Sequence, residues 1–224
     1  MGIVFVTGAT GFMGRNLIAE LLRRKHEIRA LVRQGSERKL PPGCTVIIGN
    51  ALDKNSFALQ IAPAETFVQL VGVTHPNPAK KDEFRAIDLG SAKAAIEAAR
   101  EAGSKNFVYV SVAQPAPIMK FYIEVRAESE KMVRESGMNA TILRPWYVLG
   151  PGRRWPLILK PIYWLMEQIP ATRESAQRLG LVTLEQMVAA LAHAVENPQK
   201  GIRILEVPEI RASVTSSSGP STNP

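Results

Sequence analysis

Ile3-Val4-Phe5-Val6-Thr7-Gly8-Ala9-Thr10-Gly11-Phe12-Met13-Gly14-Arg15-Asn16-Leu17-Ile18-Ala19-Glu20-Leu21-Leu22 passes from an apolar segment through three glycines into a stretch with apolar residues at helical spacing. It reads as strand, glycine turn, helix. The glycines let the chain turn sharply and bring backbone N–H groups close to an anion. The first turn of the helix adds unpaired donors and the positive end of its dipole. A dinucleotide pyrophosphate is the anion such a turn suits, so Gly8, Thr10, Gly11, Phe12, Met13 and Gly14 are the expected contacts.

The next strand candidate, Glu27 to Val32, ends at Arg33, about twenty residues beyond the last glycine, where an acid ordinarily holds the adenosine ribose of NAD. A guanidinium there can grip a 2′-phosphate in bidentate fashion, with Ser36, Arg38 and Lys39 nearby. NADP is therefore the expected cofactor, with NADPH preferred over NADH. Read blandly, Arg33 is a solvated residue at a strand end and Arg15 a surface position on the first helix.

At 224 residues the chain holds one good core and a small lobe beyond it. A formal charge of +8 and a pI near 9.8 raise the question of nucleic acid or an anionic surface. The cations are scattered over Arg23-Arg24-Lys25, Arg33 to Lys39, Lys80-Lys81 and Arg153-Arg154 without interleaved aromatics, so no nucleic-acid partner is expected. The single cysteine, Cys44, excludes an internal disulfide and reads as a structural thiol; three dispersed histidines give no metal-ligand spacing. With neither leader nor long apolar run, a cytoplasmic location is expected.

Short branched or aromatic runs recur at Val46–Ile48, Thr66–Val71, Asn106–Val110 and Ala140–Leu143. They alternate with helical patterns over Phe84–Ala102 and about Pro117–Glu135, the latter stopped by Gly137. This is the rhythm of an α/β protein with a doubly wound parallel sheet. Residues 1–150 form the expected core and 151–210 a small substrate-side lid, with two short apolar helices around Trp155–Leu159 and Pro161–Ile169. In that second part Thr183 caps a helix to about Glu196, and Ile202–Val207 returns as a final strand. Residues 211–224 read as a disordered tail.

Four stretches together resemble the extended and atypical short-chain dehydrogenase/reductase superfamily, in the branch of NAD(P)-dependent epimerases, dehydratases and their NmrA-like or complex I-associated relatives. They are Thr7 to Gly14, Gly49-Asn50-Ala51-Leu52-Asp53, Phe107 to Ser111, and Leu143 to Gly152. The resemblance covers about residues 2–207 and implies a Rossmann fold. It implies that Asn50 replaces the usual Asp at the adenine amine, with Ala51 beside it. It also sets Gly72 against the cofactor and Arg144-Pro145-Trp146 near the nicotinamide. Asp53 reads instead as the cap of a short helix.

The superfamily's catalytic signature is Tyr-x-x-x-Lys plus a hydroxyl after the fifth strand: an acid or base, a cation that lowers its pKa and holds the ribose, and a group that orients substrate. Here Tyr122 is followed at i+4 by Arg126, on the same helical face. Tyr122, Arg126 and Ser111 are the expected catalytic set, with Tyr122 and Arg126 also touching cofactor. Aligning the strand ends sets Ala113 where the catalytic hydroxyl belongs and leaves Ser111 structural, unless the loop slips by enough to use Ser111. Tyr122 also reads as an aromatic packed on the sheet, Arg126 as a surface arginine, and His75 as either a general acid or a loop histidine.

Two functions follow. One is a reductase, epimerase or dehydratase acting on a small organic substrate with NADP(H). The other is a non-catalytic NADP(H)-binding redox sensor or assembly protein whose apolar lid holds a partner, consistent with Arg126 for Lys and Ala113 for Ser. Arg153, Arg154 and Lys160 beside the lid's apolar residues allow a peripheral membrane contact, though burial on the core is the expected use. The resemblance leaves room for a helix-paired homodimer.

Overall fold

β1 (Ile3–Thr7) lies inside a seven-stranded, wholly parallel sheet, and its residues from Val4 to Thr7 are buried, as a strand covered on both faces requires. The structure is a computed structural model and describes residues 1–74, 76–151 and 177–213. The other strands are β2 (Glu27–Val32), β3 (Thr45–Ile48), β4 (Thr66–Gln69), β5 (Asn106–Val110), β6 (Asn139–Leu143) and β9 (Ile202–Leu205), in the order β3-β2-β1-β4-β5-β6-β9. β7 (Tyr147–Leu149) and β8 (Leu181–Thr183) pair separately, also in parallel.

The two faces of the sheet carry different cores. On one, Leu17, Ile18 and Leu21 of α1 (Phe12–Arg23) pack with Met187, Ala190, Leu191 and Ala194 of α5 (Leu184–Glu196), and Val207 and Ile210 of α6 (Val207–Ala212) close that side. On the other, the rings of Phe5, Phe57, Phe67 and Phe107 pack in series beneath the alanines of α3 (Gly90–Glu101) and Val133 of α4 (Lys120–Glu135). Small residues on α3 let that helix lie close to the sheet. The doubly wound α/β reading therefore holds.

Local differences have physical causes. The expected helix over Phe84–Ala102 is a π-helical segment over Phe84–Leu89 followed by α3, with a single turn, α2 (Lys81–Glu83), before it; Phe84 and Asp88 of the π-segment are both buried. The helix expected from Pro117 begins at Lys120, because Met119 stands at φ 58, outside helical backbone. Gly137, at φ 75, follows the end of α4 as anticipated. Thr183 caps α5 through a reciprocal pair: its hydroxyl accepts from Gln186 N at 3.1 Å and Gln186 Oε1 accepts from Thr183 N at 2.9 Å. Asp53 does cap a short turn, accepting from Asn55 N at 3.1 Å.

Cys44 is half-buried, donates to the Pro41 carbonyl at 3.2 Å, and has its thiol pKa raised by burial. Among the described residues no helix is long and apolar enough to cross a membrane. The lid helices expected at Trp155–Leu159 and Pro161–Ile169, the basic residues Arg153, Arg154 and Lys160, His75, and most of the expected tail lie outside the described residues.

Candidate active site

The sheet changes its direction of travel between β1 and β4, and a cleft of about 510 Å³ opens at the carboxyl ends of these strands and of β5. Gly8, Gly11, Phe12, Met13 and Gly14 form one wall, and the chain from Leu70 to Thr74 another. Gly8 is at φ +69, and a Cβ there would lie 2.7 Å from the Leu70 carbonyl carbon and 2.9 Å from Val71 N. Only glycine lets β1 leave the sheet with the chain from β4 pressed against it. α1 begins at Gly11 with no side-chain cap and no acid in its first turn. That helix end is left for an external anion, and the cradle fits the pyrophosphate of a dinucleotide.

On the far side of the cleft stand Ser111, Tyr122 and Arg126. α4 carries Tyr122 and Arg126 one turn apart, and Arg126 Nε donates to Tyr122 Oη at 3.2 Å. The guanidinium is 5% exposed and turns inward: Nη1 donates to Tyr109 Oη at 3.2 Å and to the Val110 carbonyl at 3.0 Å, and Nη2 pairs with Asp88 Oδ1. Asp88 is fully buried, and its other oxygen accepts from Val73 N at 3.1 Å. A Cβ on Gly72 would collide with Arg126 Nη2 and stand 3.1 Å from Asp88 Oδ1, so the ion pair sits directly beneath the glycine that the resemblance sets against the cofactor.

These contacts set the electrostatics. Burial raises the Tyr122 phenol above its ordinary pKa despite the guanidinium beside it, and the Asp88 carboxylate and Tyr109 act in the same direction as burial. Burial likewise raises Asp88, opposed by Arg126 and by the Val73 N–H. For Arg126 burial disfavours charge, but Tyr122, Tyr109 and Asp88 outweigh it and hold the guanidinium well above its usual pKa.

Ser111 is buried and lines the cleft, and its hydroxyl has no hydrogen-bond partner among the described residues. Ala113 is fully buried, does not line the cleft, and donates its N–H to the Pro145 carbonyl at 3.0 Å. Of the Arg144-Pro145-Trp146 turn, Pro145 and Trp146 reach the cleft. Arg144 is held elsewhere, donating to Glu130 Oε1 at 2.9 Å, to Glu130 Oε2 at 2.6 Å and to Glu206 Oε1 at 2.8 Å. Gln114 Nε2 also donates to Glu130, at 2.7 Å, so this buried carboxylate fixes the turn.

Tyr122 also lines a second recess of about 300 Å³ with Pro78, Phe84, Met119, Phe121 and, toward solvent, Lys81, Lys120 and Glu124. Its ring packs on Phe84 at 4.8 Å between centroids, tilted by 54°. Among the described residues, Tyr122 is the one shared by this recess and the cleft.

Other expected residues fall outside the cleft wall. Thr10 is half-buried in the glycine turn. Arg33 follows β2 directly and is exposed; its carbonyl accepts from Ser36 N at 3.0 Å, while its side chain makes no hydrogen bond or ion pair to any described residue; Arg38 is exposed in the turn Glu37–Lys39. Asn50 is exposed, its side-chain oxygen accepting from Leu52 N at 3.1 Å, and Ala51 is half-buried beside it. Sequence reasoning missed Asp88 and Tyr109. For Asp88 a signal was present: it falls in step with Phe84, Ala92 and Ala95 on an otherwise apolar face.

Residues 8–154 match a family described as NAD(P)H-binding. The chain is 27% identical over 212 residues to a ceramide reductase of Caulobacter vibrioides (strain NA1000 / CB15N), covering 94% of this chain and 65% of that protein. It is 25% identical over 179 residues to a 3-beta-hydroxysteroid dehydrogenase of Mycolicibacterium neoaurum, covering 68% and 49%. It thus spans about half to two thirds of the length of these relatives. The Bordetella bronchiseptica enzyme WbmH in complex with NAD+ shares the fold, with a TM-score of 0.68 and 20% identity over 99% of this chain and 83% of that one. On its glycine turn, its sheet order and the family match over residues 8–154, more than half of its length, the chain belongs to the NAD(P)H-binding family.

Proposed function

We propose that the chain is an NADP(H)-dependent reductase of a small organic carbonyl compound with an apolar body. One observation carries the reading: Tyr122 lines both the dinucleotide cleft and an aromatic-lined recess beside it. A carbonyl lying in the recess would have its oxygen at the Tyr122 hydroxyl. The relatives named for ceramide and steroid chemistry agree with an apolar substrate.

The residues divide the work. Gly8 to Gly14 and the open end of α1 hold the pyrophosphate, and Gly72 lets the chain pass closely over the Arg126–Asp88 pair. The 2′-phosphate falls to Arg33, aided by Arg38, while Asn50 and Ala51 flank the adenine. NADPH, when bound, supplies a hydride to the substrate carbon. Tyr122 gives its proton to the oxygen that becomes negative, and the Ser111 hydroxyl, with no partner among the described residues, orients that oxygen.

A second reading, a cofactor-sensing or assembly protein, draws support from Ala113 and from the inward commitment of Arg126. NADPH consumption across a panel of apolar ketones, aldehydes and quinones separates the two. The reductase reading expects turnover that falls at least ~100-fold in Tyr122→Phe, with NADPH affinity retained. Tight binding with no turnover on any member contradicts it and favours the sensor.

A further inference from the structure

We propose that Asp88 is a positioning residue that offsets the charge of Arg126, so that Tyr122 is kept in its protonated, proton-donating form at neutral pH. This rests on reading Tyr122 as the acid of a reductase.

The geometry supplies the argument. The π-helical segment Phe84–Leu89 turns a carboxylate into the core, where Val73 N–H holds one oxygen and Arg126 Nη2 the other. A buried guanidinium without that counter-ion would be left to the two phenols and one carbonyl it touches. With the counter-ion in place, the carboxylate offsets part of the positive charge that Arg126 presents to Tyr122.

Among the described residues, the remaining groups facing Tyr122 add no buried positive charge. From β5 comes Tyr109, a neutral phenol sharing the same guanidinium; from the chain after β5, the Ser111 hydroxyl. Lys81 precedes the π-segment, and Lys120 and Glu124 lie on α4; all three are exposed and screened by water. A lysine in place of Arg126 would present one compact ammonium to the tyrosine oxygen. The arginine instead spreads its charge over Asp88, Tyr109 and the Val110 carbonyl.

The step is balanced. The carbonyl carbon gains the hydride of NADPH, the C=O π pair moves to oxygen, and that oxygen takes the proton as the Tyr122 O–H bond breaks. The pair left on the tyrosine oxygen faces Arg126 Nε–H, and solvent returns the proton through the cleft.

The test is ultraviolet titration of tyrosinate in the wild type, Asp88→Asn, Tyr122→Phe and the double variant. The differences isolate Tyr122 among the four tyrosines. Asn keeps the shape and an oxygen for Val73 N–H but removes the charge. The expected result is a fall in the Tyr122 pKa by about one unit or more in Asp88→Asn. The midpoint of the pH–rate profile should move down by a similar amount in that variant.

No shift overturns the proposal, whatever the turnover. A shift in a protein that turns over no carbonyl supports the assignment of Asp88 and contradicts the reductase reading. Should Asp88→Asn fail to fold, NMR of ring-labelled tyrosine in the wild type decides. Tyr122 still protonated through the ordinary phenol range supports the proposal, and Tyr122 ionised below that range overturns it.

Discussion

Gly72 is the residue on which cofactor approach and buried charge converge. A methyl group there meets Arg126 Nη2, and the guanidinium cannot swing aside without surrendering Asp88, Tyr109, Tyr122 and the Val110 carbonyl. Gly72→Ala should therefore destabilise by about 1–3 kcal/mol, as overpacking does, and weaken NADPH binding as well. Denaturant melts with and without NADPH check both parts; an unchanged midpoint would mean the pair is looser than its contacts indicate. At this scale the sequence was legible where chemistry follows spacing. The glycines and the Tyr122–Arg126 face could be read because helical periodicity puts i and i+4 side by side. What Arg126 touches could not, because Asp88 and Tyr109 are brought to it by packing between separate elements.

Helices α1 and α5 are tied at their carboxyl ends by a charged chain. Glu20 accepts from Arg23 at 2.7 Å and Arg24 at 2.6 Å; Arg24 donates to Glu196 at 2.6 Å, and His26 meets Glu196 at 3.4 Å. Hydrogen bonding from Arg23 outweighs partial burial and, with Arg24, lowers the Glu20 pKa from 4.5 to about 2. A carboxylate with a depressed pKa in the folded state stabilises fully above its unfolded pKa and loses that contribution as pH falls through the folded one. Stability should thus decline between pH 4.5 and about 2, and Glu20→Gln should flatten that decline. Chemical melts across the interval measure it, and an unchanged acid slope in the variant would contradict the assignment. Among elements, strands and capped helices were legible because each carries its signal locally, as the Thr183–Gln186 pair does. The π-segment was not, since its residues are ordinary helix formers whose apolar spacing fits an α-helix as well. β7 and β8, three residues each, are too short for a pattern to register.

For the whole molecule, parallel strands in doubly wound order converge their carboxyl ends on one edge, and the glycine turn, Gly72, Ser111 and Tyr122 meet there because each follows or faces a strand end. The alternation of strand and helix made that architecture legible from the start. The recess beside Tyr122 was not, since its walls bring the first turns of α4 and Met119 before it together with Pro78, Lys81 and Phe84 from a separate part of the chain. The positive net charge of +8 suits a polyanionic cofactor, and Arg33, whose exposed side chain has no partner among the described residues, is the cation we propose to choose between its two forms. The measurement that bears most directly on this account is parallel titration of the purified protein with NADPH and NADH, repeated in Arg33→Ala. The account predicts saturable binding that favours NADPH, with the preference lost in the variant and NADH affinity unchanged; saturation by neither cofactor would contradict it.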